Sequence, residues 1–323
     1  MAKADYTYAV ARIRSMELKL FTSKDIDNLL SLPDYDSCIR FLKEKGWGDD
    51  TEISSGDAIL SFERQKIWKL MNELVKEENT FDIFLVQNDF HNLKVTIKAI
   101  TRNVDPKNMF VQFGKISGQK IFEAIENRKY SYLPDYLQSI AKTSLETLLQ
   151  TSDGQLCDIL IDKACLDTVY KIGQSNDNEI IKLYSELFVA SSNIKTAVRC
   201  AKTGKSLNFI KQALAECTSI NCNALANAAS KGLDEVCSYL SSTTYKSAVD
   251  ALKKSPSTFE KYCDDLLTDK MQTQKWEPFT IGPLVAYIIA RENEIKAVRL
   301  ILSAKLNSLD IQIIKERLRK MYV

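Results

Sequence analysis

Pairs of basic residues recur along this chain at helical spacing: Lys94 with Lys98, Lys195 with Arg199, Lys296 with Arg299, and more loosely Arg12 with Arg14 or Lys19. Residues three or four apart share one face of a helix, so each copy would present a cationic ridge beside its apolar stripe. Such ridges offer electrostatic complementarity to an acidic partner surface, not bond-making. For any single cation the plainer reading is a solvated face paired with carboxylates, as with Glu292 and Glu294 beside Lys296. Repetition of the pair favours partner binding for the set.

Other residues that could do chemistry are sparse. Ala201-Lys202-Thr203-Gly204-Lys205-Ser206 carries the GKS end of a phosphate-binding loop, but Arg199 stands where that motif needs its first glycine. The preceding residues read as helix where the motif requires a strand, so a helix-ending glycine followed by an N-cap serine is expected. The single histidine, His91, has no sequence-level nucleophile partner and reads as structural. Eight cysteines contain no CxxC pair, and one histidine leaves zinc little choice of imidazole. Several occupy apolar helical positions, as Cys200 does, so reduced core thiols are expected. No cofactor or metal is predicted and no enzyme is read here; a nucleotide-dependent activity at Gly204-Lys205-Ser206 is the rival to test.

The elements that must position these residues are helices. Six prolines and ten glycines in 323 residues fall well below the roughly 16 and 23 that average usage would supply. Forty-four basic against 42 acidic residues leave a net charge of +2, too balanced for a dedicated nucleic-acid binder. The amino-terminal MAKADYTYAVARIR lacks the apolar run of a signal peptide, and Ile281–Ala290, with its glycine and proline, is far shorter than a membrane span. A soluble, cytoplasmic protein is expected, with any membrane association made through a partner.

Self-similarity organises the whole. The phrases NLKVTIKAI from Asn92, NIKTAVRCA from Asn193 and EIKAVRLIL from Glu294, with a looser ARIRSMELKL from Ala11, mark copies at Ala9–Ser23, Asn92–Ser117, Asn193–Ser206 and Glu294–Ser308. Leu32-Pro33-Asp34-Tyr35 recurs as Leu133-Pro134-Asp135-Tyr136. Leu93, Ile97 and Ile100 share a face, as do Ile194, Ala197, Val198 and Ala201, and Ile295, Val298 and Leu302. Ser23, Ser117, Ser206 and Ser308 each read as the N-cap of a following helix. No alternating run bounded by turns supports a sheet. The prediction is an all-α fold of three similar modules, 1–102, 103–204 and 205–323.

At the carboxyl end Glu277-Pro278, Gly282-Pro283-Leu284 and the run AYIIARENEIKAVRLILSAKLNSLDIQIIKERLRKMYV resemble the end of the C subunit of bacterial and archaeal V/A-type ATPases. That protein is similar to the d subunit of eukaryotic vacuolar ATPases. Tyr8-Ala9, Ala11-Arg12-Ile13-Arg14, Ser23-Lys24-Asp25, and the Asn92-Leu93-Lys94 and Asn193-Ile194-Lys195 phrases agree with it. The resemblance implies three helical modules around a pseudo-threefold axis, funnel-like. It further implies a non-catalytic central-stalk socket joining the central shaft subunits to the membrane rotor ring and passing torque for ATP-linked transport of H+ or Na+. Shaft or ring contacts would fall among Arg12, Arg14, Lys94, Lys98, Lys195, Arg199, Lys296 and Arg299. The first module departs from the pattern, having Arg12 and Arg14 but no Asn-x-Lys phrase. An α-helical repeat scaffold for an unrelated protein is the competing expectation.

Overall fold

The computed structural model describes residues 6–49 and 55–323; the first five residues of the stretch read for a signal peptide lie outside them. The described residues form sixteen α-helices joined by short 3-10 turns and loops, and no strand occurs among them. The all-α expectation therefore holds. No helix among them is long and apolar enough to cross a membrane.

The helices group into two compact units. One comprises the chain up to Glu77 together with Asp250–Val323, and the other Glu78–Val249. In the first, α1 (Thr7–Glu17), α2 (Ser23–Ser31), α3 (Tyr35–Glu44) and α4 (Gly56–Leu74) all pack on a helix from the far end of the chain, α15 (Gly282–Leu306), which also packs on α14 (Pro256–Met271). Every residue of α15 from Gly282 to Arg291 is buried. A helix apolar around most of its circumference is stable only when it is surrounded, and here these helices pack around it. Gly56 opens α4 because a Cβ there would stand 2.7 Å from the Tyr35 hydroxyl and 2.8 Å from Leu302 on α15.

In the second unit α5 (Asp82–Arg102) packs on α6 (Gly118–Glu126), α7 (Asp135–Thr151) and α8 (Gly154–Gln174). Phe90, Leu93 and Ile97 of α5 meet Ile121 and Ile125, Leu137, Ala141 and Leu145, and Ile161 in one buried cluster. Each such large side chain contributes about 1.5–3 kcal/mol by leaving water. Helix α9 (Glu179–Lys202) packs on α8, on the short α10 (Leu207–Ala213), and on α11 (Cys222–Lys231) and α12 (Leu233–Ser241). The remaining helices are α13 (Val249–Lys254) and α16 (Ile311–Lys315).

Two of the four expected serine caps are real. Ser117 and Ser206 accept from Lys120 N and Phe209 N at 3.4 and 3.3 Å. The helix expected after Ser23 is instead capped by Thr22, whose hydroxyl and Asp25 form a reciprocal box that satisfies two backbone N–H groups. Ser308 takes a left-handed backbone, φ 51°, and Asp310 caps α16. The duplicated Leu-Pro-Asp-Tyr phrase also divides its labour. Tyr136 donates its hydroxyl to Asp89 at 2.6 Å, whereas the Tyr35 hydroxyl accepts from Gly56 N at 2.8 Å.

Candidate functional site

The first residues of the three better copies, Asn92, Asn193 and Glu294, are all buried. A buried polar side chain must find partners, and each finds them in a segment that would otherwise carry free backbone groups. Asn92 accepts from Val111 N at 2.8 Å and donates to Val111 O at 2.9 Å. Asn193 does the same with Ala215, 3.0 Å from its nitrogen and 2.6 Å from its carbonyl. Glu294 accepts from Phe21 N. Val111, Ala215 and Phe21 lie in the connections ahead of α6, α11 and α2. The period thus marks a clamp: one polar residue on a long helix pins the backbone of a returning segment.

A second rung reinforces two of the clamps. On α5, Asp89 accepts from Lys115 N, Ile116 N and Tyr136 Oη at 3.2, 3.3 and 2.6 Å. Burial pushes its carboxyl up to about 6, against the pull of those donors. On α9, Glu186 accepts from Thr218 N, Ser219 N and Ser219 Oγ at 3.2, 2.7 and 2.5 Å. Burial raises the Glu186 pKa, but the Ser219 donors outweigh it and the carboxyl ends below its usual value.

On α15 the acid Glu294 needs a counter-charge. Arg291 pairs with Glu294 and, at 2.6 Å, with Glu63 of α4, while its guanidinium lies 4.8 Å from the centre of the Trp47 ring. Glu63 also accepts from Gly48 N and from Lys66, both at 2.9 Å. Burial raises the Glu294 carboxyl to about 7, with Arg291 pulling the other way. A cleft of about 620 Å³ adjoins this group, lined by Phe21, Trp47, Lys19, Lys45, Lys66 and Arg291 among others.

The predicted cations divide into two kinds. Lys94 and Lys98 of α5 reach across to Asp162 and Asp158 of α8 at 2.6 and 2.7 Å. Lys296 of α15 reaches Asp264 of α14 at 3.0 Å. Arg14 of α1 grips Glu17 at 2.8 Å and donates to the Gln274 carbonyl at 2.7 Å. Arg12, Lys195, Arg199 and Arg299 make no ion pair or side-chain hydrogen bond among the described residues, and all but the half-buried Lys195 are exposed. The repeat therefore places its basic residues in similar positions but leaves only some of them with free charge.

The remaining chemical candidates have structural settings. Gly204, φ 61°, ends α9, Ser206 caps α10, and Lys205 bonds Gln155 while lying 4.9 Å from the Phe209 ring centre. Helix, not strand, precedes the motif. His91 has its pKa pushed down first by desolvation and then by Lys94, with a hydrogen bond to the Met109 backbone opposing them. No group of three metal-ligating side chains gathers among the described residues.

The model of the ATP synthase (C/AC39) subunit family matches residues 9–317. This chain belongs to that family. The match spans nearly the whole sequence, and family membership makes the chain a component of a V/A-type ATPase. Curated relatives agree along their length. The C subunit of the V-type sodium ATPase of Enterococcus hirae is 24% identical over 320 residues, covering 96% of this chain and 97% of the relative. The C subunit of the A-type ATP synthase of Methanocaldococcus jannaschii is 22% identical, covering 95% of this chain and 84% of the relative. That of Desulfurococcus is 24% identical, covering 96% and 90%.

Sequence reasoning named Asn92, Asn193 and Glu294 only as the beginnings of copies and passed over Asp89, Glu186, Glu63 and Arg291. A signal was present: polar residues of different type held the same phase of an apolar stripe. Polar residues at a core-facing phase are expected to be buried with partners.

Proposed function

We propose that this member of the C/AC39 family couples the central shaft of a rotary ATPase to its membrane rotor ring, passing torque without itself catalysing a reaction. The single observation that carries this reading is the family match over residues 9–317. On this reading the three modules, 1–102, 103–204 and 205–323, surround a pseudo-threefold axis. The protein sits at the cytoplasmic face and touches the membrane only through the ring. The choice between Na+ and H+ belongs to the ring.

Two features of the chain suit a torque adaptor. The long helices are pinned to neighbouring segments by buried two-way hydrogen bonds, as between Asn193 and Ala215. Closely packed helices with few voids resist deformation. Arg12, Lys195, Arg199 and Arg299 keep unpaired charge available to an acidic partner, which favours encounter and orientation.

Charge reversal tests the assignment. Lys195→Glu, Arg199→Glu and Arg299→Glu together should weaken binding to the isolated shaft at least about tenfold at low salt. Reversal at Lys94, Lys98 and Lys296 should do less, because those cations already have partners. Unchanged affinity of the first variant at low salt would sink the assignment of these residues. A tagged chain that recovers no ATPase shaft or ring subunits from its source cells would instead favour the helical-scaffold reading.

A further inference from the structure

The Asn193 clamp holds more than a backbone segment. Its amide nitrogen, besides bonding the Ala215 carbonyl, lies 3.7 Å from the sulfurs of both Cys217 and Cys222. Cys222 donates its thiol to the same Ala215 carbonyl at 3.1 Å, and Cys217 lies 4.0 Å from the Ile220 carbonyl. Two thiols thus converge on one polar point, at the turn where the chain enters α11. The corresponding segment around Val111 has no cysteine.

We infer that Cys217 and Cys222 form a thiol–disulfide exchange site, which takes a small-molecule disulfide of the glutathione type and closes to an intrachain disulfide. This goes beyond the coupling role and does not depend on it. The two thiols are unequal. The single Cys222 proton, which rests on the Ala215 carbonyl, favours the thiolate of Cys217 when it turns to that sulfur, and the Ile220 backbone and Asn193 add lesser support, so the Cys217 pKa is lowered despite burial. The same contact with Cys217, followed by burial, raises the pKa of Cys222. Cys217 is only half-buried and stands between the exposed Glu216 and Thr218, whereas Cys222 is buried. Cys217 is therefore the attacking group and Cys222 the resolving one.

The steps balance. The Cys217 thiolate attacks one sulfur of the external disulfide, forming a mixed disulfide and expelling one external thiolate. Cys222 loses its proton to that thiolate and attacks the Cys217 sulfur. The mixed disulfide breaks, the intrachain bond forms, and the second external thiolate leaves to collect the proton that Cys217 gave to solvent. One disulfide is reduced to two thiols and two protein thiols are oxidised. Closure ends the Cys222 bond to Ala215 and leaves Asn193 as the remaining side-chain donor to that carbonyl. Cys38, Cys157, Cys165 and Cys200 are poor competitors because burial raises their pKa values.

The test uses the full, reduced chain incubated with oxidised glutathione, alkylated at intervals and mapped by mass spectrometry. The expected product is a Cys217–Cys222 disulfide that forms about tenfold faster than modification of any other cysteine and is reversed by dithiothreitol. In Cys222→Ser the glutathione adduct should persist on Cys217. A stable adduct on Cys217 in the unsubstituted chain, earlier reaction of another cysteine, or two thiols that remain alkylatable throughout would each overturn the inference.

Discussion

On α9, Asn193 gives one residue, Ala215, both a donor and an acceptor, so the clamp is complete and neutral. On α15 the same phase of the repeat holds Glu294, which can only accept. That carboxylate takes Phe21 N and then requires Arg291, which in turn engages Glu63. One structural task, pinning a returning backbone to a long helix, is met by an amide in one unit and by a buried charge group in the other. The amide is self-sufficient, whereas the charge group binds α15, α4 and the Trp47 turn into one interdependent set. Removing one member of a buried ionic group leaves the rest uncompensated, which makes that set the more vulnerable of the two.

The largest expected effect follows from that difference. Arg291→Met should destabilise the chain by about 3–5 kcal/mol in chemical denaturation, because the buried Glu294 would lose its counter-charge and Glu63 would keep just the half-buried Lys66. The triple change Arg291→Met, Glu63→Gln, Glu294→Gln should recover much of the loss. A loss below about 1 kcal/mol for the single variant would mean that water reaches the group and that the contrast with Asn193 is unfounded.

The amide clamps come next. Asn193→Ala strips two hydrogen bonds from Ala215, which is itself fully buried at 0% exposure, and should cost about 2–3 kcal/mol because the buried N–H is left unsatisfied and the carbonyl keeps just the weak Cys222 thiol donor. Asn92→Ala should cost less, since Val111 is half-buried and water can replace the lost partner. Equal losses at the two sites, measured by thermal melting, would show that burial of the clamped backbone does not set the difference.

Proton-linked effects emerge only as pH is varied. Folding raises Glu294 from 4.5 to about 7 and Asp89 from 3.8 to about 6. The native state therefore holds protons that the unfolded chain has released, and stability falls as pH rises through those windows. For Asp89 the fall runs from about pH 4 to 6, for Glu294 from about pH 4.5 to 7, with no further contribution from either above its folded value. Glu294→Gln should flatten the upper part of a stability–pH curve measured by denaturation, and Asp89→Asn the lower part. A curve for Glu294→Gln that keeps its slope between pH 6 and 7 would remove the charge group from the comparison.

Much of the fold was legible in the residues because helical periodicity is local. The spacing of Ile194, Ala197, Val198 and Ala201, and the scarcity of proline and glycine, required long amphipathic helices, and α9, which carries those four residues, runs over Glu179–Lys202. Cap positions were less secure, because several hydroxyl and carboxylate residues compete within one turn. Thr22 with Asp25 displaced Ser23, and Asp310 displaced Ser308. The candidate site was legible only as a row of cations. Whether Lys94 is free or bound depends on Asp162, which is distant in sequence.

By itself the sequence determined the helices, their repeated phase and the family to which the chain belongs, since each is written in residue type and spacing along the chain. Tertiary structure alone decided that α15 packs against α1–α4 at the opposite end of the chain. It also decided that Asn92, Asn193 and Glu294 share a task, and that Lys195 stays unpaired while Lys94 does not. Those outcomes depend on which distant carboxylates and backbone groups arrive beside each side chain. Burial then makes an unmet partner costly enough to enforce the arrangement.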